Sequence, residues 1–219
     1  SAVTSAPSAG GFSVRELSVA LPDGTDLLKD CSLSLAAGES LLVTGASGAG
    51  KSTLLRALAG LWPFARGSAA FPADEKRLFL SQKPYLPLGS LRRAVCYPLT
   101  AEPPRAEMER VLRLCGMEQF IARLDETADW SHILSLGEQQ RIAFARILLV
   151  RPAWAFLDEA TSALDEAREK ELYAMLAHEL PAMGIVSVGH RSTLFAQHER
   201  ELHLDGAGGW TTRTIPEPT

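Results

Sequence analysis

The stretch "SLLVTGASGAGKSTLLRALAG", Ser40 to Gly60, decides how the chain is read. Its opening, Ser40–Gly45, is a short continuous apolar run of the kind found in strands buried on both faces. From Thr53 to Leu61 the apolar residues fall at helical spacing. The nine residues between, Gly45–Thr53, satisfy G-x-x-x-x-G-K-[ST] in a strand-to-helix setting, which is the setting a phosphate-binding loop needs. Glycines let successive backbone N–H groups turn inward around phosphate oxygens. Gly45, Ala46, Ser47, Gly48, Ala49 and Gly50 therefore form an expected cradle, which Lys51, Ser52 and Thr53 continue. Lys51 supplies a point charge to the β- and γ-phosphates, and the Ser52 hydroxyl is a ligand for Mg²⁺. A helix beginning here aims its positive end at the same anions.

Outward from that loop the pattern repeats in kind. "RLFLS" (Arg77 to Ser81), "AWAFL" (Ala153 to Leu157) and "GIVSVG" (Gly184 to Gly189) are further buried-strand runs. Helical stretches lie between them. One holds Met108, Val111, Leu112 and Cys115 on one face; another holds Leu172, Met175, Leu176 and Leu180. Glu166 precedes Lys170 by one helical turn, the favourable order for an ion pair. Strands alternating with helices predict an α/β fold with a mostly parallel core sheet. Phe12 to Leu35 differs, with short alternating segments around "PDG", and predicts an antiparallel edge sheet.

Each strand-like run ends at a residue suited to phosphate or metal chemistry, and open parallel sheets bind ligands beyond the carboxyl ends of their strands. The first ends at the Gly45 loop, the second at Gln82, the third at Asp158 and Glu159, the fourth at His190. Asp158 is placed to hold Mg²⁺ and Glu159 to orient and deprotonate an attacking water. His190 is expected to hydrogen-bond a γ-phosphate, and Gln82 to complete the Mg²⁺ shell. Ser162 and Asp165 match an S-x-x-D helix-capping pattern, so capping competes with chemistry for them.

"LSLGEQQR", Leu134 to Arg141, carries the second anion signal. Ser135 and Glu138 form an S-x-x-E capping box ahead of the apolar helix "IAFARILL". The same helix start, with Ser135 and the free backbone of Gly137, is also an anion site. The chain's own nucleotide is already gripped by the Gly45 loop. A second copy packed head-to-tail would bring its nucleotide to this helix tip, burying two ATP molecules in one symmetric interface.

Composition bounds the rest. With 219 residues and 46% hydrophobic content, one domain with a subdomain can bury a core. A net charge of -4 without a lysine/arginine block argues against nucleic acid as the main partner. The three cysteines suit a reducing compartment better than a disulfide framework. No apolar run approaches the ~18 residues of a membrane-spanning helix. "SAVTSAPSAGG" at the start and "IPEPT" at the end have the composition of linkers.

Together these motifs resemble the nucleotide-binding domains of ABC transporters, over nearly the whole chain from about Phe12 to Asp205. The matching elements are Walker A (Gly45 to Thr53), the Q-loop (Gln82), the signature (Leu134 to Glu138), Walker B (Trp154 to Asp158, then Glu159), the D-loop (Ser162 to Asp165) and the H-loop (His190). "LAGLWPFARG", "QKPYLPLGSLRRAVCYP" and "DWSHILSLGEQQR" resemble the peroxisomal fatty-acyl half-transporters of subfamily D and their bacterial SbmA/YddA-type relatives.

The resemblance implies a P-loop ATPase fold with a mixed core sheet, an antiparallel β subdomain and a helical signature subdomain at about 85–150. It divides the chain into a linker-like segment 1–11, an ATP-binding domain 12–205 and a tail 206–219. It further implies ATP and Mg²⁺ as cofactors, a homodimer, and a six-helix membrane domain upstream on the same polypeptide. The place would be the cytoplasmic face of a bacterial inner membrane. Ser135, Leu136, Gly137 and Glu138 would act in trans on the partner's nucleotide, and Asp165 would belong to the D-loop. Two departures stand out. Leu136 and Glu138 replace a glycine and a glutamine of the usual LSGGQ, and Leu136 is expected to turn into packing. Leu21 replaces the aromatic that usually stacks on adenine; Tyr97 is the alternative candidate for the base, against ordinary packing of its ring. A soluble P-loop kinase, and a non-transport ABC ATPase acting on nucleic acid or ribosomes, are the rival classes.

Overall fold

The computed structural model describes residues 11–71 and 76–216. The linker-like segment, apart from Gly11, lies outside the described residues, as do the last three residues of the tail. In chain order the elements begin with strands β1 (Gly11–Ala20), β2 (Asp26–Ala36) and β3 (Ser40–Gly45), helix α1 (Lys51–Leu58), and strands β4 (Ala65–Ala70), β5 (Arg77–Leu80) and β6 (Gly89–Ser90). Helices α2 (Leu91–Cys96) and α3 (Arg105–Leu114), strand β7 (Thr127–Ala128), and helices α4 (Trp130–Ile133) and α5 (Leu136–Val150) follow. Strand β8 (Trp154–Asp158), helix α6 (Glu166–Glu179), and strands β9 (Gly184–Val188), β10 (Arg200–Leu204) and β11 (Trp210–Thr214) complete the chain. Short 3-10 helices cover Glu118–Arg123 and Ser192–Gln197.

Two compact units result. The first holds the described residues up to Phe79, then Pro152–Asp158, then those from Ala182 onward. Its main sheet has the order β11-β10-β3-β9-β8-β5. Strands β10, β3, β9 and β8 run parallel, whereas β11 is antiparallel to β10, so the sheet is mixed. A three-stranded antiparallel sheet, β2-β1-β4, completes this unit. The expected edge sheet thus gains a third strand, β4. Its sequence, "ARGSAA", carries little strand propensity, and pairing with β1 makes the strand.

The unit's core explains why these strands read as continuous apolar runs. All five residues of β8 and of β9 are buried. Leu41 and Val43 of β3 join Leu54, Leu55 and Leu58 of α1, and the Phe12, Phe71 and Phe156 rings, in one cluster. Phe12 and Phe71 stack at 4.5 Å between centroids. Parallel pairing sends the carboxyl ends of β3, β9 and β8 to one edge, so Gly45, Asp158 and the segment leading to His190 emerge side by side.

The second unit comprises Leu80–Arg151 and Glu159–Pro181. It exceeds the expected 85–150 because α6 belongs to it as well. Its centre is α5, whose Ile142, Ala143, Phe144, Ala145, Ile147 and Leu148 are all fully buried. A helix that is apolar nearly all round must be covered on several sides; α2, α3 and α6 do so. Met108, Val111, Leu112 and Cys115 are buried as their spacing predicted. In α6 the stripe holds at Leu172, Leu176 and Leu180, but Tyr173 is buried and Met175 only half-buried. The segment 206–219, read as a tail, contributes β11. The three cysteines are free and buried. Among the described residues no helix is long and apolar enough to cross a membrane.

Candidate functional site

In the first unit the Gly45 loop leads directly into α1. Gly50 caps that helix at φ 93°, in the left-handed region where a side chain is strained, and a β-carbon there would press on Leu27. No side chain caps α1, and its first turn holds no acid. The helix start therefore keeps its backbone donors and its positive end for an external anion. Lys51 is buried at 6% exposure, its ammonium donating to the carbonyls of Gly45 (2.9 Å) and Ala46 (2.8 Å). A charge so buried is tolerable only when its protons are hydrogen-bonded. The Ser52 hydroxyl donates to Asp158 Oδ1 at 2.6 Å, across 106 positions of sequence. Asp158 is itself buried. His190 is exposed, two residues beyond β9.

The site is set in the sheet by its flanks. Thr44, just before the loop, donates its hydroxyl to Glu201 at 2.5 Å, and its oxygen lies 2.9 Å from His203 Nδ1. Behind the same strands His198 is buried, bonded to Leu194 O (2.7 Å) and Ser187 Oγ (2.8 Å). Burial pushes its imidazole down to about 4.

In the second unit Ser135 caps α5, and the box is complete. Glu138 accepts from the Ser135 N–H at 2.9 Å and from the Ser135 hydroxyl at 2.8 Å, while the Glu138 N–H donates back to Ser135 Oγ. Ser135 stays exposed and Gly137 half-buried. They face an open concavity of about 560 Å³ that Arg141, Ala163, Asp165 and Arg168 also line. A β-carbon on Gly137 would lie 3.2 Å from Ala163 O, so the glycine admits the approach of that loop. Leu136 does not turn into packing: it remains 36% exposed and lines the same concavity, because its place at the first turn of α5 points it outward. Of the two capping candidates near β8, Asp165 caps α6 by accepting from Arg168 N at 2.7 Å. Ser162 instead accepts from the side-chain amides of Gln82 (3.3 Å) and Gln140 (3.1 Å).

Glu159, immediately after β8, has φ 51°. A non-glycine residue held there costs on the order of 1 kcal/mol or more, and such outliers concentrate at working sites. Tyr97 follows α2 in the second unit. Its ring lies edge-on to Tyr85 at 5.3 Å, and the Arg146 guanidinium sits 5.3 Å from its centroid. Arg146 is buried, donates to Ala94 O, and burial pulls its pKa down to about 10. The Tyr97 ring is half-buried between these two neighbours. Sequence reasoning passed over Gln140, which is buried on α5 together with the polar Gln139 and Arg146.

Residues 28–162 match the family described as ABC transporter. An uncharacterized ABC transporter ATP-binding protein of Haemophilus influenzae is 47% identical over 90% of this chain and 33% of its own length. The lysosomal cobalamin transporter ABCD4 of Homo sapiens is 43% identical over 95% of this chain and 37% of its own. The chain thus spans about a third of the length of these relatives. A solved structure of a bacterial Atm1-family ABC exporter with ATP bound shares the fold, with TM-score 0.81 at 24% identity over 94% of this chain and 39% of that one. With the Gly45 loop, its serine–aspartate pair and the capped α5 start all inside or beside the matched span, the chain belongs to the ABC transporter family, as an ATP-binding domain.

Proposed function

We propose that this chain is the ATP-hydrolysing motor domain of an ABC transporter, closing head-to-tail with a second copy around two MgATP. That closure drives movement of a substrate through a membrane domain carried upstream on the same polypeptide, at the cytoplasmic face of a bacterial inner membrane. The observation that carries the reading is the exposed, Ser135-capped start of α5. It lies in a unit other than that of the Gly45 loop, and it opens on a concavity wide enough to receive part of a nucleotide.

The residues divide the work as follows. The backbone of Gly45 to Gly50 and the start of α1 wrap the phosphates, and Lys51 exchanges its two loop carbonyls for β- and γ-phosphate oxygens. The Ser52 hydroxyl and the Asp158 carboxylate, 2.6 Å apart, form a hard oxygen pair that suits Mg²⁺, an ion that keeps several waters and needs few protein ligands. Gln82 is the third residue assigned to that shell. An ion held there would supply positive charge against the negative charge that develops on the phosphate oxygens. Glu159 orients water and takes its proton as the water oxygen attacks the γ-phosphorus in line, the bond to the β–γ bridging oxygen breaks and ADP leaves with that electron pair, and His190 hydrogen-bonds the γ-phosphate. Ser135 and Gly137 of the second copy hold the same γ-phosphate from the other side, with Asp165 beside them. Loss of phosphate removes that bridge and the pair opens, a switch by differential contacts between two states.

Glu159→Gln tests this reading. The variant should bind ATP, hydrolyse it at least about 100-fold more slowly, and accumulate as a dimer on size-exclusion with MgATP. A strictly monomeric Glu159→Gln at saturating ATP would sink the two-copy scheme.

A further inference from the structure

Gln140 lies on α5, five residues beyond the cap and fully buried. A primary amide offers two protons and one carbonyl acceptor, and here they leave the helix entirely. Nε2 donates to the backbone carbonyl of Gln82 at 2.8 Å and to Ser162 Oγ at 3.1 Å, with the carbonyl of Glu159 at 3.4 Å. Oε1 accepts the N–H of Ala163 at 3.0 Å. Gln82 Nε2 reaches the same Ser162 hydroxyl at 3.3 Å. One side chain therefore ties the segment after β5, the residue after β8 and the loop before α6 to a single point on α5.

The helix makes that point a lever. Five residues along an α-helix are about 7 Å of rise and more than a third of a turn away from Ser135 in direction. The cap faces the concavity while Gln140 faces the packed interior, and from Gln139 inward α5 is anchored by buried side chains. A buried amide whose partners are backbone groups of other segments cannot shift without dragging them or leaving them unpaired.

We propose that Gln140 is a positioning residue that couples the start of α5 to Gln82 and Glu159 of the same chain. An anion held at Ser135 and Gly137 displaces the helix, and Gln140 carries the displacement to the backbone that aims the hydrolytic side chains. This rests on the motor-domain reading and adds to it a route by which each copy's own active site senses its partner's nucleotide.

The amide chemistry sets the test. Gln140→Met keeps volume and loses every hydrogen bond. Gln140→Glu keeps shape and the acceptor for Ala163 N–H, and loses both donors. In the full chain with MgATP, both should lower kcat about tenfold or more with KM for ATP within about twofold, the split expected when alignment rather than binding is lost. A packing role predicts instead that Gln140→Met retains the wild-type rate, and that result would overturn the inference. Should Gln140→Met fail to melt cooperatively, Ser162→Ala decides. It removes the hydroxyl shared by Gln140 and Gln82 and should show the same split to a smaller degree; an unchanged kcat there overturns the inference. With ATP bound, backbone amide exchange should quicken at residues 82–83 and 160–163 in the variants and stay unchanged at 45–52. An unmodified chain that neither binds nor hydrolyses ATP would remove the motor-domain reading itself. A fully active chain matched by Gln140→Met would remove only the coupling.

Discussion

Two helices begin at points where their dipoles present positive charge, and they treat it in opposite ways. Helix α1 starts at a glycine, has no side-chain cap and no acid in its first turn, and keeps a buried lysine against the loop that precedes it. Helix α5 starts at Ser135 and supplies its own anion: the Glu138 carboxylate takes both the N–H and the hydroxyl of the cap. Backbone physics is the same in both. On the proposed function the first receives phosphate, and at the second a phosphate would have to displace a carboxylate that already accepts the serine's proton. The two starts thus differ in the cap residue and in the charge beside it, Lys51 at one and Glu138 at the other.

The comparison breaks most visibly at Lys51. Lys51→Ala should lower ATP affinity and phosphate release by about 100-fold or more, since it removes the positive charge held against the carbonyls of the loop. Nucleotide titration and a phosphate-release assay would read it; near-normal values for both would deny α1 its receptor role.

Acid should separate the units in which the two helices lie. His198, in the first unit, is held neutral by burial, with its pKa at about 4 against an ordinary 6.5. Its folded value lies below its unfolded one, so above pH 6.5 neither state binds the proton and stability is full. As pH falls from 6.5 toward 4 the unfolded chain takes up a proton that the folded chain refuses. The loss reaches about 2 kcal/mol by pH 5. In the second unit, the Arg92 and Arg105 guanidinia hold Asp125 below its ordinary 3.8, and Arg105 and Arg113 hold Glu109 below 4.5. Their contribution is present above those values and is lost only below them. Urea unfolding followed by amide exchange should show the first unit weakening between pH 7.5 and 5 while the second holds. Equal weakening of both would remove the distinction.

Glu138→Gln gives the smallest and sharpest effect. Glutamine can also complete a capping box, so α5 should lose only a few tenths of a kcal/mol of dipole interaction. With the competing charge gone, ATP-dependent association should tighten a few-fold by sedimentation. Weaker association would mean that Glu138 assists the incoming phosphate rather than opposing it.

How much of this was legible follows from how local each feature is. The Gly45 loop is a strand, a turn and a helix in unbroken sequence, and β3 ends at Gly45 as read. The α5 cap is a four-residue pattern and formed as read. Gln140 was invisible because its four partners lie from 19 to 58 positions away, and nothing in "EQQR" says which glutamine turns inward. Strand β11 was missed because "WTTRT" leads into "IPEPT", whose proline-rich composition dominated, whereas pairing with β10 across the Asp205–Gly209 turn makes the strand. The neighbours of Tyr97, Arg146 and Tyr85, were not legible either, because both reach it from other segments of the chain. Leu136 misled for a simpler reason. An apolar residue was assumed to seek cover, yet single exposed leucines are ordinary.

The backbone at Glu159 has one more implication. A left-handed residue there favours glycine, so replacing the glutamate with glycine would relieve the backbone of the turn, while the proposed mechanism would lose its base. Durability and turnover are opposed at that single position. A laboratory selection for heat resistance alone, with no demand for work, would be drawn to erase the carboxylate first.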